Sequence, residues 1–192
     1  MERTFVLVKP DGVKRGLIGE VVSRFEKAGL KVVALKMVWV TREFADKHYP
    51  KAEEFIKNLG QKTLKTYEKY GLDPQSELGT GDDLEIGKFV RDTLVDSITW
   101  GPVVAMVLEG NHAVDNTRML VGDTIPTFAL PGTIRGDFSV DSPLLANRKK
   151  RAVRNIVHAS GDSKEAEFEI SHWFTKEEIH SYKRGDEEVM FG

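Results

Sequence analysis

Short apolar segments alternate along the chain with segments whose apolar residues repeat at helical spacing. The apolar segments are rich in β-branched residues and predict strands at residues 4–8, 31–40, 102–108 and 153–159. Between them, helices are predicted from Ile18 to Gly29 and from about Ala113 to Gly122, each stopped by a glycine. Strand, helix and strand thus occur twice in succession. This order is typical of an α+β fold of the ferredoxin-like split βαβ type, an antiparallel sheet with helices on one face.

Two stretches do not fit this order, at about residues 50–100 and 139–152, and we interpret them as insertions into a single domain spanning residues 1–192. The first contains two helical pieces, of which one spans residues 61–70, separated by a loop rich in turn residues. The second carries the basic run RKKR. Extra C-terminal helices are predicted at residues 164–174 and 175–182, because Thr175 and Glu178 have capping-box spacing.

Composition narrows the classes of protein that the chain can represent. It has 192 residues, 40% of them hydrophobic and 30% charged, as in folded globular domains. It has no cysteine, which excludes a disulfide scaffold, a thiolate zinc site and a cysteine nucleophile. The net charge of −2 does not favour nucleic acid, and no apolar run is long enough to span a membrane. Since the N-terminus also lacks a secretory signal, we expect a cytoplasmic protein without membrane or specific nucleic-acid partners.

The common phosphate and metal motifs are absent, since the chain has no P-loop, no G-x-G-x-x-G, no H-E-x-x-H and no G-x-S-x-G. A different set of polar residues lies at or near the ends of the predicted elements. It offers cations, a hydroxyl, an amide and one imidazole, at Lys9, Arg118, Thr124, Arg135, Asn155 and His158. Cations neutralise phosphate oxygens and an imidazole nitrogen can attack phosphorus. This set is therefore suited to moving a phosphoryl group without a metal held by the protein.

Four segments carry a specific resemblance. The chain resembles the nucleoside diphosphate kinase family in ERTFVLVKPDGVKRGLIGEVVSRFEKAGLKVVALK, GPVVAMVLEG, PGTIRGDF and RNIVHAS, in the family's order. The resemblance implies reversible transfer of the terminal phosphoryl group from a nucleoside triphosphate to a nucleoside diphosphate, by a ping-pong mechanism through phosphorylated His158. It also implies that Mg²⁺ arrives with the nucleotide phosphates, so that no metal ligands are expected on the protein. A homo-oligomer is implied as well, either a hexamer or a tetramer built from dimers.

The resemblance also implies residue roles. His158 is the expected nucleophile, and Glu169 is expected to bond its second ring nitrogen. The expected nucleotide-binding residues are Lys9, Tyr49, Phe89, Arg118, Thr124, Arg135 and Asn155. Tyr49 is expected to pack near the histidine and Phe89 to stack on the base.

The chain departs from the family pattern in two places. Where the family has His-Gly-Ser-Asp, this sequence reads HASGDS, with Ala159 in place of glycine and Gly161 added. The spacing from His158 to Glu169 is nevertheless retained, because a residue is missing just downstream. The Phe-Phe pair of the family has no counterpart, so Phe89 is assigned to the base only by its place in the insertion.

Other readings of the same residues remain. A single histidine on a strand is often structural, isolated arginines often form ordinary ion pairs, and a basic run is often a solvated loop. A catalytically inactive module that binds nucleotides or nucleic acid is the main alternative, because this fold hosts many functions. Its mark would be loss of the histidine or the carboxylate, and both are present. A histidine phosphatase would need an Arg-His-Gly motif, which the chain lacks.

Overall fold

The computed structural model describes the backbone of residues 1–192 and the side chains of all of them except Phe191. Its strands form one four-stranded antiparallel sheet with the order β2-β3-β1-β4. These strands are β1 (Glu2–Val8), β2 (Lys31–Val38), β3 (Val103–Gly110) and β4 (Val157–Ala159). Helices connect β1 to β2 and β3 to β4, so the predicted split βαβ fold is confirmed.

Helices make up most of the remaining chain. They are α1 (Pro10–Lys14), α2 (Ile18–Lys27), α3 (Arg42–His48), α4 (Glu53–Lys69), α5 (Pro74–Leu78), α6 (Asp83–Thr99), α7 (Ala113–Val121), α8 (Ile134–Phe138), α9 (Pro143–Arg148), α10 (Ser163–Trp173) and α11 (Glu187–Phe191). Short 3₁₀ helices occur at Pro126–Phe128 and Lys176–Glu178. Within the part of the chain described above, no helix has both the length and the apolar character needed to cross a bilayer.

The backbone divides into two compact units. The first consists of Met1–Val38, Pro102–Val140 and Asn155–Gly192, and it contains the whole sheet. The second consists of Trp39–Gly101 and Asp141–Arg154 and contains only helices. The second unit therefore comprises most of the two stretches that the sequence pattern sets apart. Whether the chain acts as a single domain with insertions stays a prediction.

Alternation along β1 builds the core of the first unit. Val6 and Val8 are fully buried on one face of the sheet, in a cluster with Val21 and Phe25 of α2. Phe5 lies on the other face, where its ring centroid is 5.3 Å from that of Trp173 on α10. Because α10 covers this second face, the expectation of helices on one face only is wrong. The sheet is buried on both sides, which explains why the whole of residues 4–8 is apolar or buried.

The second unit depends on a close approach of two helix backbones. A Cβ atom built on Gly60 of α4 would lie 1.7 Å from the carbonyl oxygen of Asp83. One built on Gly87 of α6 would lie 1.9 Å from the carbonyl oxygen of Ile56. No side chain fits at either position, so α4 and α6 pack against each other through glycine.

The last strand is shorter than predicted, because β4 begins only at Val157. Ile156 has a φ of 71°, which takes the backbone out of the extended region. The amide of Val157 bonds the carbonyl oxygen of Asn155 at 2.7 Å, closing a three-residue turn where the strand was expected to continue.

Helix boundaries also differ from the prediction. Helix α4 begins at Glu53 rather than at residue 61, because apolar residues at helical spacing already start there. Helix α5 lies inside the predicted loop, where the carboxylate of Asp73 accepts the amides of Gln75 and Ser76. The expected capping box at Thr175 is present, but only a 3₁₀ turn follows. The chain then runs along β2, with the amide of His180 bonding Val33 O at 2.8 Å.

Candidate active site

His158 sits in the middle of β4, opposite Leu7 of β1. Its Nε2 atom lies 2.6 Å from Oε1 of Glu169, which projects from α10 and is 2% exposed. The other oxygen of Glu169 accepts a hydrogen bond of 2.5 Å from the hydroxyl of the fully buried Ser160. Both oxygens of the carboxylate are therefore engaged, which fixes its orientation and that of the imidazole.

Lys9 and Asn155 form a second pair. Lys9 directly follows β1, and Asn155 is the first residue of the three-residue turn. The ammonium of Lys9 donates to Oδ1 of Asn155 at 2.6 Å, and Nδ2 of Asn155 donates to the carbonyl oxygen of Thr124 at 2.8 Å. Burial lowers the pKa of Lys9 from 10.5 to about 8, against the opposing effect of Asp11 and with a smaller lowering effect of Arg135. A buried ammonium of this kind is stabilised by an anion brought next to it.

Arg135 lies in α8, whose first turn is capped by the hydroxyl of Thr133. Its Nη1 donates to Gly122 O at 2.9 Å and its Nη2 to Val157 O at 2.7 Å. The side chain is buried, and this burial lowers the pKa of Arg135 to about 10. Its Nε has no hydrogen-bond partner among the described residues. The guanidinium therefore links the end of α7 to β4 and still has an unsatisfied donor.

Arg118 and Thr124 complete the set in the first unit. Arg118 lies on α7 and is exposed, and among the described residues it has no hydrogen-bond or ion-pair partner. A Cβ atom built on Gly161 would be 3.6 Å from Nη1 of Arg118, so this cation lies near the turn that follows His158. Thr124 is exposed in the segment after α7. Lys9, Arg118 and Arg135 are a concentration of positive charge suited to a polyphosphate.

Tyr49 and Phe89 belong to the second unit. Tyr49 follows α3 and is 6% exposed, and its ring meets that of His48 edge-on with centroids 4.6 Å apart. Phe89 is partly buried on α6. The guanidinium of the buried Arg91, also on α6, donates to Tyr49 O at 2.8 and 3.0 Å and to Asp46 Oδ1 at 2.9 Å. Arg91 thereby holds the end of α3 that carries Tyr49.

Sequence reasoning missed Ser160, Arg91 and Asp11. Ser160 could have been found from its place two residues after the candidate nucleophile. Nothing in the pattern of α6 distinguishes Arg91. Asp11 belongs to the turn signal KPDG, but its contact, 2.9 Å from its Oδ2 to the amide of Ile156, crosses 145 residues of sequence.

Comparison with known sequences gives a consistent answer. Residues 2–65 and 85–179 match the family model described as nucleoside diphosphate kinase. A nucleoside diphosphate kinase of Pyrobaculum aerophilum is 52% identical over 179 residues, which cover 93% of this chain and 98% of that protein. One of Archaeoglobus fulgidus is 43% identical over 191 residues, with 100% and 98% covered.

Solved structures agree with the sequence relatives. The structure of an NDP kinase from Pyrobaculum aerophilum is similar with a TM-score of 0.88 and 51% identity, covering 94% of this chain and 99% of that one. A transition state mimic of the nucleoside diphosphate kinase from Borrelia burgdorferi, with bound vanadate and ADP, has a TM-score of 0.77 and 39% identity, with 97% and 94% covered. Sequence and fold therefore agree with the four segments that first carried the resemblance, and this chain belongs to the nucleoside diphosphate kinase family.

Proposed function

We propose that the protein catalyses the reversible transfer of the terminal phosphoryl group from a nucleoside triphosphate to a nucleoside diphosphate. The transfer proceeds in two half-reactions through phosphorylated His158, with donor and acceptor nucleotides using one site in turn. The observation that carries this proposal is the 2.6 Å contact of His158 with the buried Glu169, in a chain of this family. An imidazole held by a buried carboxylate has a fixed orientation and tautomer, which nucleophilic attack requires.

Glu169 sets which ring nitrogen reacts. When Nε2 of His158 donates its proton to Glu169, the lone pair of the neutral imidazole resides on Nδ1. Nδ1 attacks the γ-phosphorus, and the bond from that phosphorus to the bridging oxygen breaks. The bridging oxygen keeps the electron pair and leaves as part of the nucleoside diphosphate. The carboxylate of Glu169 meanwhile balances the positive charge that develops on the ring.

The cations stabilise the charge of the phosphates during this exchange. Arg118 is assigned to phosphate oxygens because its guanidinium is exposed and has no partner among the described residues. Arg135 is assigned to the same group through its unsatisfied Nε, and Thr124 through its hydroxyl. Lys9 contributes a positive charge below its pKa of about 8. Asn155, whose Oδ1 retains a second lone pair beside Lys9, is assigned to the sugar hydroxyl.

The remaining assignments concern the substrate's other parts. Mg²⁺ is part of the substrate, since it is carried by the nucleotide phosphates, and no side chain is assigned to it. Tyr49 and Phe89 are assigned to the nucleoside end, with Phe89 stacking on the base. We also assign the protein to the cytoplasm and to a homo-oligomer, a hexamer or a tetramer built from dimers.

The covalent intermediate can be tested directly. The protein should label itself from γ-labelled ATP with no acceptor present, and the label should be acid-labile and base-stable, as a phosphoramidate is. His158→Ala should abolish the label. His180→Ala is the matched control, because it removes an exposed imidazole outside the proposed site and should leave labelling unchanged.

The alternative of an inactive nucleotide-binding module predicts a different result. Such a module would bind ADP but would acquire no label and would give no turnover in a coupled assay with ATP and a second nucleoside diphosphate. Label that survives acid, or that persists in His158→Ala, would contradict the phosphohistidine mechanism.

A further inference from the structure

The turn that precedes His158 has a strained backbone. Ile156 has a φ of 71°, in the left-handed region that a β-branched residue rarely adopts. The amide of Val157 bonds Asn155 O at 2.7 Å, so Asn155, Ile156 and Val157 form a three-residue γ-turn of the rare, positive-φ kind. Such a conformation is strained and persists only where surrounding contacts impose it.

This turn links two residues of the proposed site. Asn155 begins it, and His158 follows its last residue in the chain. Val157 pairs with Val8 and His158 with Leu7, so the turn also sets where β4 enters the sheet. A relaxed turn would therefore move the imidazole and the Asn155 amide relative to the strand β1.

Contacts from one short segment after β1 hold Ile156 in this conformation. The carboxylate of Asp11 accepts the amide of Ile156 at 2.9 Å, and the amide of Lys9 donates to Ile156 O at 2.7 Å. Asp11 is 8% exposed and Ile156 is fully buried, so neither contact competes freely with water. A Cβ atom built on Gly12 would lie 2.9 Å from Cγ2 of Ile156, so the absence of a side chain there leaves room for the turn.

We infer that Asp11 is a positioning residue for phosphoryl transfer: its carboxylate holds the strained turn at Ile156 and thereby places His158 and Asn155. The inference rests on the proposed function. The alternative is that Asp11 serves only as a negative charge near Lys9 and Arg135, the two cations whose pKa values it raises. The two roles differ in what they require, since holding the turn needs a hydrogen-bond acceptor and balancing the cations needs a charge.

Two substitutions separate the roles. Asp11→Ala removes the acceptor and the charge, whereas Asp11→Asn removes the charge and keeps an oxygen that can accept the Ile156 amide. We expect the single-turnover rate of self-phosphorylation to fall about tenfold or more in Asp11→Ala, because the imidazole of His158 would no longer be held in line with the phosphorus. In Asp11→Asn the rate should stay within about threefold of the unmodified protein. The mass of the Asn variant has to be verified, because Asn-Gly sequences deamidate.

A second pair of variants tests whether the effect passes through the turn. Glycine adopts positive φ without penalty, so it should keep the turn without help from Asp11. In the Asp11→Ala background, Ile156→Gly should therefore restore the rate several-fold relative to Ile156→Ala. The alanine variant is the matched control, since both changes empty the same buried space and only the backbone preference differs.

The equilibrium affinity for ADP distinguishes a misplaced His158 from a general loss of structure. It should weaken less than the rate falls, because Arg118 and Thr124 lie outside the turn. Asp73→Ala serves as a further control, since its carboxylate also accepts backbone amides but caps α5 in the second unit. The rate of self-phosphorylation of Asp73→Ala should be unchanged.

Each remaining outcome has a defined meaning. An Asp11→Asn variant as slow as Asp11→Ala would show that charge and not the acceptor matters. An unchanged Asp11→Ala, or a double variant with Gly no faster than the one with Ala, would also overturn the inference. Because Asp11→Asn keeps the size of the side chain, a slow Asp11→Asn variant would overturn the inference even where Asp11→Ala does not fold. Absence of label in the unmodified protein would instead refute the proposed function.

Discussion

Arg118 and Arg135 carry the same guanidinium in opposite surroundings. Arg118 is exposed and, among the described residues, makes no hydrogen bond or ion pair. Arg135 is buried and donates to the carbonyl oxygens of Gly122 and Val157. A substitution at either residue removes a cation that is proposed to bind phosphate, but only the substitution at Arg135 also leaves carbonyl groups without their donor.

The two alanine variants should therefore separate activity from stability. Arg118→Ala is expected to lower kcat by about 10²-fold or more without changing the free energy of unfolding. Arg135→Ala should lower kcat and also destabilise the protein by about 1–3 kcal/mol, because two carbonyl groups lose their partner. Steady-state kinetics and urea unfolding measure the two effects. Unchanged turnover in both variants would assign these residues to structure alone, and equal stability losses would refute the distinction.

At the scale of elements, the contact between α4 and α6 is the most demanding packing in the second unit. Gly60 and Gly87 each face a backbone carbonyl of the other helix at a distance that no Cβ atom can share. Glycine normally weakens a helix relative to alanine. The two glycines are present because they permit the close approach of the α4 and α6 backbones.

Gly87→Ala should destabilise the protein although it raises helix propensity. The helices must separate to admit the methyl group, which costs on the order of 1–3 kcal/mol. Gly19→Ala on α2 is the matched control: it is also a helical glycine, but nothing lies within 4 Å of its built Cβ, and it should be neutral or stabilising by up to about 1 kcal/mol. Thermal unfolding of both variants tests this. The same sign for both substitutions would contradict the packing argument.

Strands and site residues differ in how far the sequence predicts them. The β1, β2 and β3 segments are rich in apolar and β-branched residues, so their positions follow directly from the pattern. The shorter β4 does not, because the turn at Ile156 depends on Asp11 and Lys9, which lie at the other end of the chain. Helix α5 was missed since a polar, capped helix looks like a loop when no apolar face marks it.

The candidate site shows the same division. Lys9, Arg135 and His158 could be selected because they lie in the family segments, and Arg118 because its chemistry and the resemblance as a whole point to it. Ser160 and Asp11 act through other residues, and such support depends on geometry that spacing along the chain does not record. The phosphate-binding role of Arg135 stays a prediction, and its bonds to backbone carbonyls could not be foreseen from the sequence.

At the scale of the whole molecule, every assigned polar contact addresses phosphate or sugar. Two acidic residues of the insertion that could read a base edge are already engaged within the second unit. Asp82 caps α6 by accepting the amides of Leu84 and Glu85, and Asp83 accepts from Gln61 at 2.9 Å. The proposed base contact, Phe89, is apolar and stacks on any ring.

We therefore expect little discrimination among nucleobases. With one fixed donor, kcat/KM for different nucleoside diphosphate acceptors should agree within about tenfold, equivalent to about 1.4 kcal/mol. Strong rejection of a base would need buried polar groups that the wrong partner leaves unpaired. A spread of about 10³ or more would show that the second unit forms a base-specific pocket.

The central position of β1 has a consequence for how the protein folds. Both neighbours of this strand lie far along the chain, since Phe5 pairs with Val107 of β3 and Leu7 pairs with His158 of β4. Closing loops of this length is entropically costly and slows folding. The contact between α4 and α6 joins segments that are close in sequence, so it requires a much shorter loop to close. During synthesis, moreover, β1 emerges before β3 and β4 and must wait for both of them. The site cannot be complete before Glu169 has left the ribosome, so the chain cannot carry out the proposed reaction until α10 has been synthesised.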